Sequence, residues 1–222
     1  MGVASGLRFA TPNPELRKPN PENRPPNPQI IIFAKKYPYV ERTFKQFDDI
    51  LRKCRDLFEK KTRDYGTAWR ILRPSSLTDQ LFIKAKRIRS IEEKGLQKVG
   101  DSIESDYTGL INYSLMAIAQ LGLPEEAPLD LPLEDALRLF DEKTADVRAL
   151  LEAKNHDYGE AWRDMRVSSM TDLILMKLLR IKQIEENEGK TIASEGLEAN
   201  YQDIVNYAIF ALIKLQEQKQ NV

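Results

Sequence analysis

From residue 44 onward the apolar side chains fall at alternating steps of three and four. Phe44, Phe47, Leu51, Cys54 and Phe58 form one helical stripe, and Leu137, Phe140, Thr144, Val147 and Leu151 form a second with the same spacing. A further pair of stripes runs through Leu77, Leu81, Lys84, Ile88 and Ile91, and through Met170, Ile174, Lys177, Ile181 and Ile184. The last segments predict helices over 101–121 and 195–219; in the second, Tyr201, Val205, Ala208, Leu212 and Leu215 make the seam. Only the short run Gln29–Phe33 has the apolar content of a strand. The expected fold is all-α.

The stripes come in pairs because the sequence repeats. Asp64-Tyr65-Gly66-Thr67-Ala68-Trp69-Arg70 returns as Asp157-Tyr158-Gly159-Glu160-Ala161-Trp162-Arg163, an offset of 93 (157 − 64). Between 64–93 and 157–186, 17 of 30 positions are identical, which chance does not produce. One inserted residue then moves the offset to 94, so that Tyr107, Asn112 and Tyr113 match Tyr201, Asn206 and Tyr207. The chain therefore reads as two tandem three-helix repeats, 38–121 and 134–222, joined by a proline-bearing linker over 122–133. Three helices bury little by themselves, so the repeats are expected to pack about a pseudo-two-fold axis, as a homodimer does.

Eight of the twelve prolines lie within Pro12–Pro38, where missing N–H groups and restrained neighbours oppose helix and sheet. Residues 1–37 are expected to form an extended arm, mildly basic and without the apolar core of a secretory signal. Thirty-four basic and 34 acidic residues give a formal net charge of zero, which argues against general nucleic-acid binding. One cysteine and one histidine exclude an internal disulfide and a Cys/His zinc site. The sequence lacks an apolar run long enough for a membrane span, and a reducing, cytoplasmic setting is expected. Cys54 aligns with Val147 inside an apolar stripe and reads as a buried structural thiol.

Three local features bear on chemistry. Ser76-x-x-Asp79 and Ser169-x-x-Asp172 fit capping boxes with serine as the N-cap. Gly66 and Gly159 fit left-handed stops at the ends of the first helices. Lys84 and Lys177 stand in the centres of apolar seams, where an unpaired ammonium costs several kcal/mol unless it meets an anion or a water-filled cleft. Snorkelling of the long stem to solvent is the alternative.

On the last helix Glu195, Glu198, Asp203 and Asn206 share about 140° of surface, away from the seam. Glu195, Glu198 and Asp203 suit Mg²⁺, a hard ion that prefers oxygen ligands; the same acids also suit the positive end of a helix dipole. Lys177 and Arg180 could face a metal-bound phosphate, as could Lys84 and Arg87 in the first repeat. Trp162, Tyr158 and Trp69 offer faces for a base, with Asp157, Asn206 and Asn112 as polar neighbours, although such aromatics commonly serve cores. Gly109 stands where the second repeat has Asp203, leaving Asp101 and Glu104 as a weaker metal site. The second repeat is therefore expected to hold the better-kept site.

The pattern K-x-x-D-Y-G-x-A-W, then S-x-x-D-x-x-x-x-K-x-x-R-I, then an acidic stretch ending in N-Y resembles the nucleotide modification associated domain 1 family. The resemblance covers roughly 44–121 and 137–216 and implies an association with modified nucleotides. A looser resemblance is to the MazG-type all-α nucleoside triphosphate pyrophosphatases, which carry E-x-x-E and E-x-x-D pairs. Asp56-x-x-Glu59 imitates the first pair, whereas Ala149-x-x-Glu152 departs from it. Two readings follow. In one, the protein is a Mg²⁺-dependent nucleotide pyrophosphohydrolase, with Glu198 and Asp203 as its catalytic acids. In the other, it is a non-catalytic nucleotide-binding or assembly module whose Lys–Glu pairs are structural.

Overall fold

The computed structural model describes residues 38–220 apart from 99, 125 and 194; the expected arm over 1–37, with its Gln29–Phe33 run, lies outside the described residues. Among the described residues six helices follow one another: α1 (Pro38–Tyr65), α2 (Pro74–Lys94), α3 (Ile103–Gly122), α4 (Leu133–Tyr158), α5 (Val167–Glu186) and α6 (Leu197–Gln220). No strand occurs among the described residues, and none of their helices is long and apolar enough to cross a membrane.

Each D-Y-G-x-A-W-R motif is a helix stop followed by one tight turn. Gly66 and Gly159 adopt φ of +63° and +61°, a region that a Cβ disfavours, and so end α1 and α4. Short 3₁₀ turns, Ala68–Ile71 and Ala161–Asp164, then carry Trp69 and Trp162 back toward the bundle. These turns leave no periodicity in the sequence.

The serine capping boxes do not form. α2 starts at Pro74, with extended Arg73 as its N-cap, and α5 starts at Val167 after Arg166. Proline at the first helical position, its φ already set, suits the start of α2 two residues before Ser76, and α5 starts at the equivalent place with Val167. Asp79 and Asp172, released from capping, instead reach across to Lys182 at 2.5 Å and Arg89 at 3.5 Å. A serine cap does form at α3, where Ser102 accepts from the Ser105 N–H at 3.2 Å.

The core is built from α2, α3, α5 and α6: α3 lies on α6, α2 on α5, and within each repeat the two helices pack on each other. Leu77, Leu81, Ile88, Met170, Ile174 and Ile181 are fully buried there, as the stripes require. Outside them α1 meets α4 through Phe58 and Phe140, whose rings stack at 4.7 Å. Cys54 is buried, and burial pushes its thiol up to about 12, so it packs as an inert group.

Contacts between the repeats come in exchanged pairs. Arg55 holds Asp141 at 2.7 Å, and Arg148, its counterpart, holds Asp48 at 2.9 Å. Thr78 bonds the Tyr201 hydroxyl and Glu185, while Thr171 bonds the Tyr107 hydroxyl and Glu92. The linker belongs to the first repeat: Arg70 donates to the carbonyls of Ala127 and Pro128, and Thr67 to that of Leu129. Arg163 turns instead to Gln46 on α1 and Glu217 on α6. The motif arginine is thus structural in both copies.

Candidate functional site

A cleft of about 360 Å³ opens in the first repeat where the end of α1, its 3₁₀ turn, α2 and α3 converge. Leu57, Phe58, Leu72 and Met116 form an apolar floor, and Trp69, Tyr65 and Tyr113 add aromatic surface. Two ammonium groups belong to the lining, Lys61 from the last turns of α1 and Lys84 from the middle of α2. None of the described lining residues is a carboxylate.

Gly109 explains why Lys84 can occupy this place. A Cβ there would stand 2.8 Å from Lys84 Cδ and Cε, so the bare backbone of α3 leaves room for the lysine stem. Its side chain keeps 28 % exposure, and its nearest acid, Asp106, lies 3.7 Å away. Asp106 is committed mainly to Arg87, whose second amino group binds the Asp101 carbonyl at 2.7 Å. Two buried polar atoms also lack partners in the lining residues. Asn112 gives its Nδ2 to the Cys54 carbonyl at 3.1 Å but leaves Oδ1 unpaired, and Trp69 Nε1 is unpaired as well. Unmet hydrogen-bonding groups beside a cleft are costly and mark where a ligand could bond.

The same place in the second repeat is filled. Asp203, in the position of Gly109, binds Lys177 Nζ at 2.5 Å and also Lys154, which aligns with Lys61. Lys177 falls to 9 % side-chain exposure. Trp162 lies flat against Phe210, centroids 4.3 Å apart, where the first repeat has the slimmer Met116. The guanidinium of Arg163 covers Trp162 at 4.5 Å. Burial, with Asp203 nearby, raises the Tyr207 phenol.

The second repeat, expected to hold the better-kept site, has its acid Asp203 engaged by two lysines, and the open cleft lies in the first repeat. The grouping of Glu195, Glu198 and Asp203 for metal is also not what forms. Glu195 lines a surface depression of about 780 Å³ with exposed Arg180 and buried Asn200, Glu198 lies 4.0 Å from Lys143, and Asp203 is held by lysines. In the first repeat Glu104 pairs with Lys219, which holds its carboxyl below the usual range, while Asp101 offers its backbone carbonyl to Arg87 and Gln97. Among the described residues no three acids, histidines or cysteines form a group suited to a metal ion. Tyr158 and Asp157 are exposed, with Asp157 at 3.0 Å from His156, so they stand apart from the buried Trp162. Asn206 is buried with neither amide atom partnered. Glu59 of the pyrophosphatase-like pair is taken by Arg55 and Arg63, so that likeness gains no support.

Sequence reasoning missed Lys61 and Lys154. Each opens the K-x-x-D-Y-G motif, one helical turn before the stop, which was the available signal.

Fold and cleft define the class: an all-helical tandem-repeat protein with a cation-lined cleft in its first repeat. The chain belongs to the nucleotide modification associated domain 1 family, whose pattern matches residues 61–121 and again 154–215. The family's name associates it with nucleotide modification. No curated protein and no solved structure matches the chain.

Proposed function

We propose that the protein binds a nucleotide in the first-repeat cleft, with Lys61 and Lys84 on the phosphate and Trp69 and Tyr113 along the base or sugar. The observation that carries this reading is the pair of lysines lining an open cleft, with no carboxylate among its described lining residues. Lys84 is only distantly paired, 3.7 Å from an Asp106 that Arg87 already holds, so the two ammonium groups can attract an anion, and neighbouring aromatic faces accept any base. The orphaned Asn112 Oδ1 and Trp69 Nε1 supply an acceptor and a donor for polar edges of the ligand. The family's association with nucleotides agrees with that chemistry.

The donor set does not suit a resident Mg²⁺, because hard cations need oxygen ligands and the cleft presents ammonium groups instead. Mg²⁺ enters this proposal only as an ion a nucleotide carries with it. The exchanged contacts between repeats support the pseudo-two-fold packing expected from the duplication.

The test is a thermal-shift and calorimetric titration with nucleoside mono-, di- and triphosphates, with and without Mg²⁺. A ligand at 100 times its Kd adds about 2.7 kcal/mol, a shift of a few degrees. Lys84→Met is expected to lower affinity at least tenfold with its melting temperature kept. Equal affinity in that variant would exclude this cleft.

A further inference from the structure

Aligned on the repeat, the two copies differ at the positions that decide whether the site is open. Positions 61, 69 and 84 are Lys, Trp and Lys in the first copy, and 154, 162 and 177 are the same residues in the second. Position 109 is Gly where 203 is Asp, and 116 is Met where 210 is Phe. Asp203 satisfies both lysines of its copy, and Phe210 stacks on its tryptophan. The first copy has the same cations with neither the acid nor the aromatic plug.

We infer that the second repeat is a self-closed copy of the same site, in which Asp203 stands in for the anion of the ligand, and that the open first-repeat cleft takes a nucleoside 5′-monophosphate. The inference rests on the nucleotide reading above and narrows its substrate class. Asp203 shows what the paired lysines accept, which is one compact anionic group bridging two ammonium groups. A phosphate monoester is such a group, and its charge of about −1.5 to −2 at neutral pH matches two lysines. A triphosphate brings more charge than Lys61 and Lys84 can balance, and Arg87 is already held by Asp106. The cleft volume of about 360 Å³ sits near the lower end of small-molecule pockets, roughly 300–1,000 Å³.

Exchanging the two decisive residues tests this. Gly109→Asp with Met116→Phe copies the closed repeat into the first. The added Cβ meets the flexible end of Lys84, which can move to pair with the new carboxylate. Asp203→Gly with Phe210→Met copies the open repeat into the second. Calorimetry with the 5′-monophosphates of the common nucleosides should give one site in the wild type and two in the opened variant. In the closed variant affinity should fall at least 100-fold, with helicity and melting temperature kept. Inorganic phosphate should raise the melting temperature of the opened variant more than that of the wild type, because the anion returns to Lys154 and Lys177.

If the opened variant does not fold, the closed one decides by itself. A folded closed variant that still binds overturns the inference, as does a Mg²⁺-free triphosphate binding over tenfold tighter than its monophosphate. Binding unchanged by the exchange but lost in Lys84→Met leaves the nucleotide reading standing without this refinement. A wild type that binds no nucleotide of any phosphate number removes both.

Discussion

Glu92 and Glu185 show what single residues contribute at the boundary between the repeats. Each is half-buried and accepts from a threonine of the other copy, Thr171 at 3.0 Å and Thr78 at 2.7 Å. Burial is the main cause that pushes both carboxyls above the ordinary glutamate range of about 4.3. An acid whose pKa rises on folding stabilises the fold while it is protonated. That contribution is full below the unfolded pKa and is lost as pH rises through the folded one. Glu92→Gln with Glu185→Gln should therefore melt higher than the wild type at pH 8, with the gap closing toward pH 4. A gap that widened on acidification would contradict the burial account. At this scale the sequence was half legible. Lys84 and Lys177 stood out as cations in apolar seams, and one lies on an open cleft while the other is paired. Asp203, expected as a metal ligand, faces Lys154 and Lys177 here, because whether a carboxylate meets a metal or an ammonium depends on which helix faces it. Gly109 read as the loss of a ligand, yet its missing side chain is what admits Lys84.

Among the elements, the helices were written in the three-and-four spacing, and their ends were written less clearly. Both glycines end their helices at positive φ, but Gly159, with ψ of −143°, is not the left-handed helical stop expected, and the two are not equivalent. A Cβ on Gly66 would lie 2.5 Å from Asp130 Oδ1, the atom that also accepts the Thr67 N–H, whereas one on Gly159 meets no atom within 4 Å. Gly159 combines its positive φ with a ψ of −143°, a region that essentially only glycine adopts, so Gly159→Ala should cost about 1–3 kcal/mol in backbone strain. Gly66→Ala should in addition displace Asp130 and with it the linker's hold on the first repeat. Limited proteolysis within 122–133 should therefore quicken in Gly66→Ala and not in Gly159→Ala, and equal cleavage of the two would contradict it. Both serine boxes failed in the same register, with Pro74 at the start of α2 and Val167 at the start of α5, so the preceding 3₁₀ turn and its extended arginine, common to both copies, go with the earlier start. The 3₁₀ turns carrying Trp69 and Trp162 were not legible, since four residues leave no periodicity to read.

For the whole molecule, duplication explains both the packing and the difference between the sites. The exchanged pairs Arg55–Asp141 and Arg148–Asp48, and the threonine–tyrosine–glutamate sets, need both copies to keep the same surface. The cleft residues are not needed for that packing, so one copy could close on Asp203 and Phe210 while the other stayed open. Repeat order and helix count were therefore readable from sequence, whereas the open copy emerged only from how Lys84, Gly109 and Met116 lie together. The central claim is that the first-repeat cleft receives a nucleotide phosphate, and the chain's two tryptophans allow a direct measurement of it. Trp162→Phe keeps an aromatic ring against Phe210 and leaves Trp69, in the cleft lining, as the single reporter. Titrating that variant with nucleoside 5′-monophosphates should change Trp69 fluorescence in a saturable way, and adding Lys84→Met should raise the half-saturating concentration at least tenfold. Fluorescence unmoved by every nucleotide, or moved equally with and without Lys84, would contradict the account.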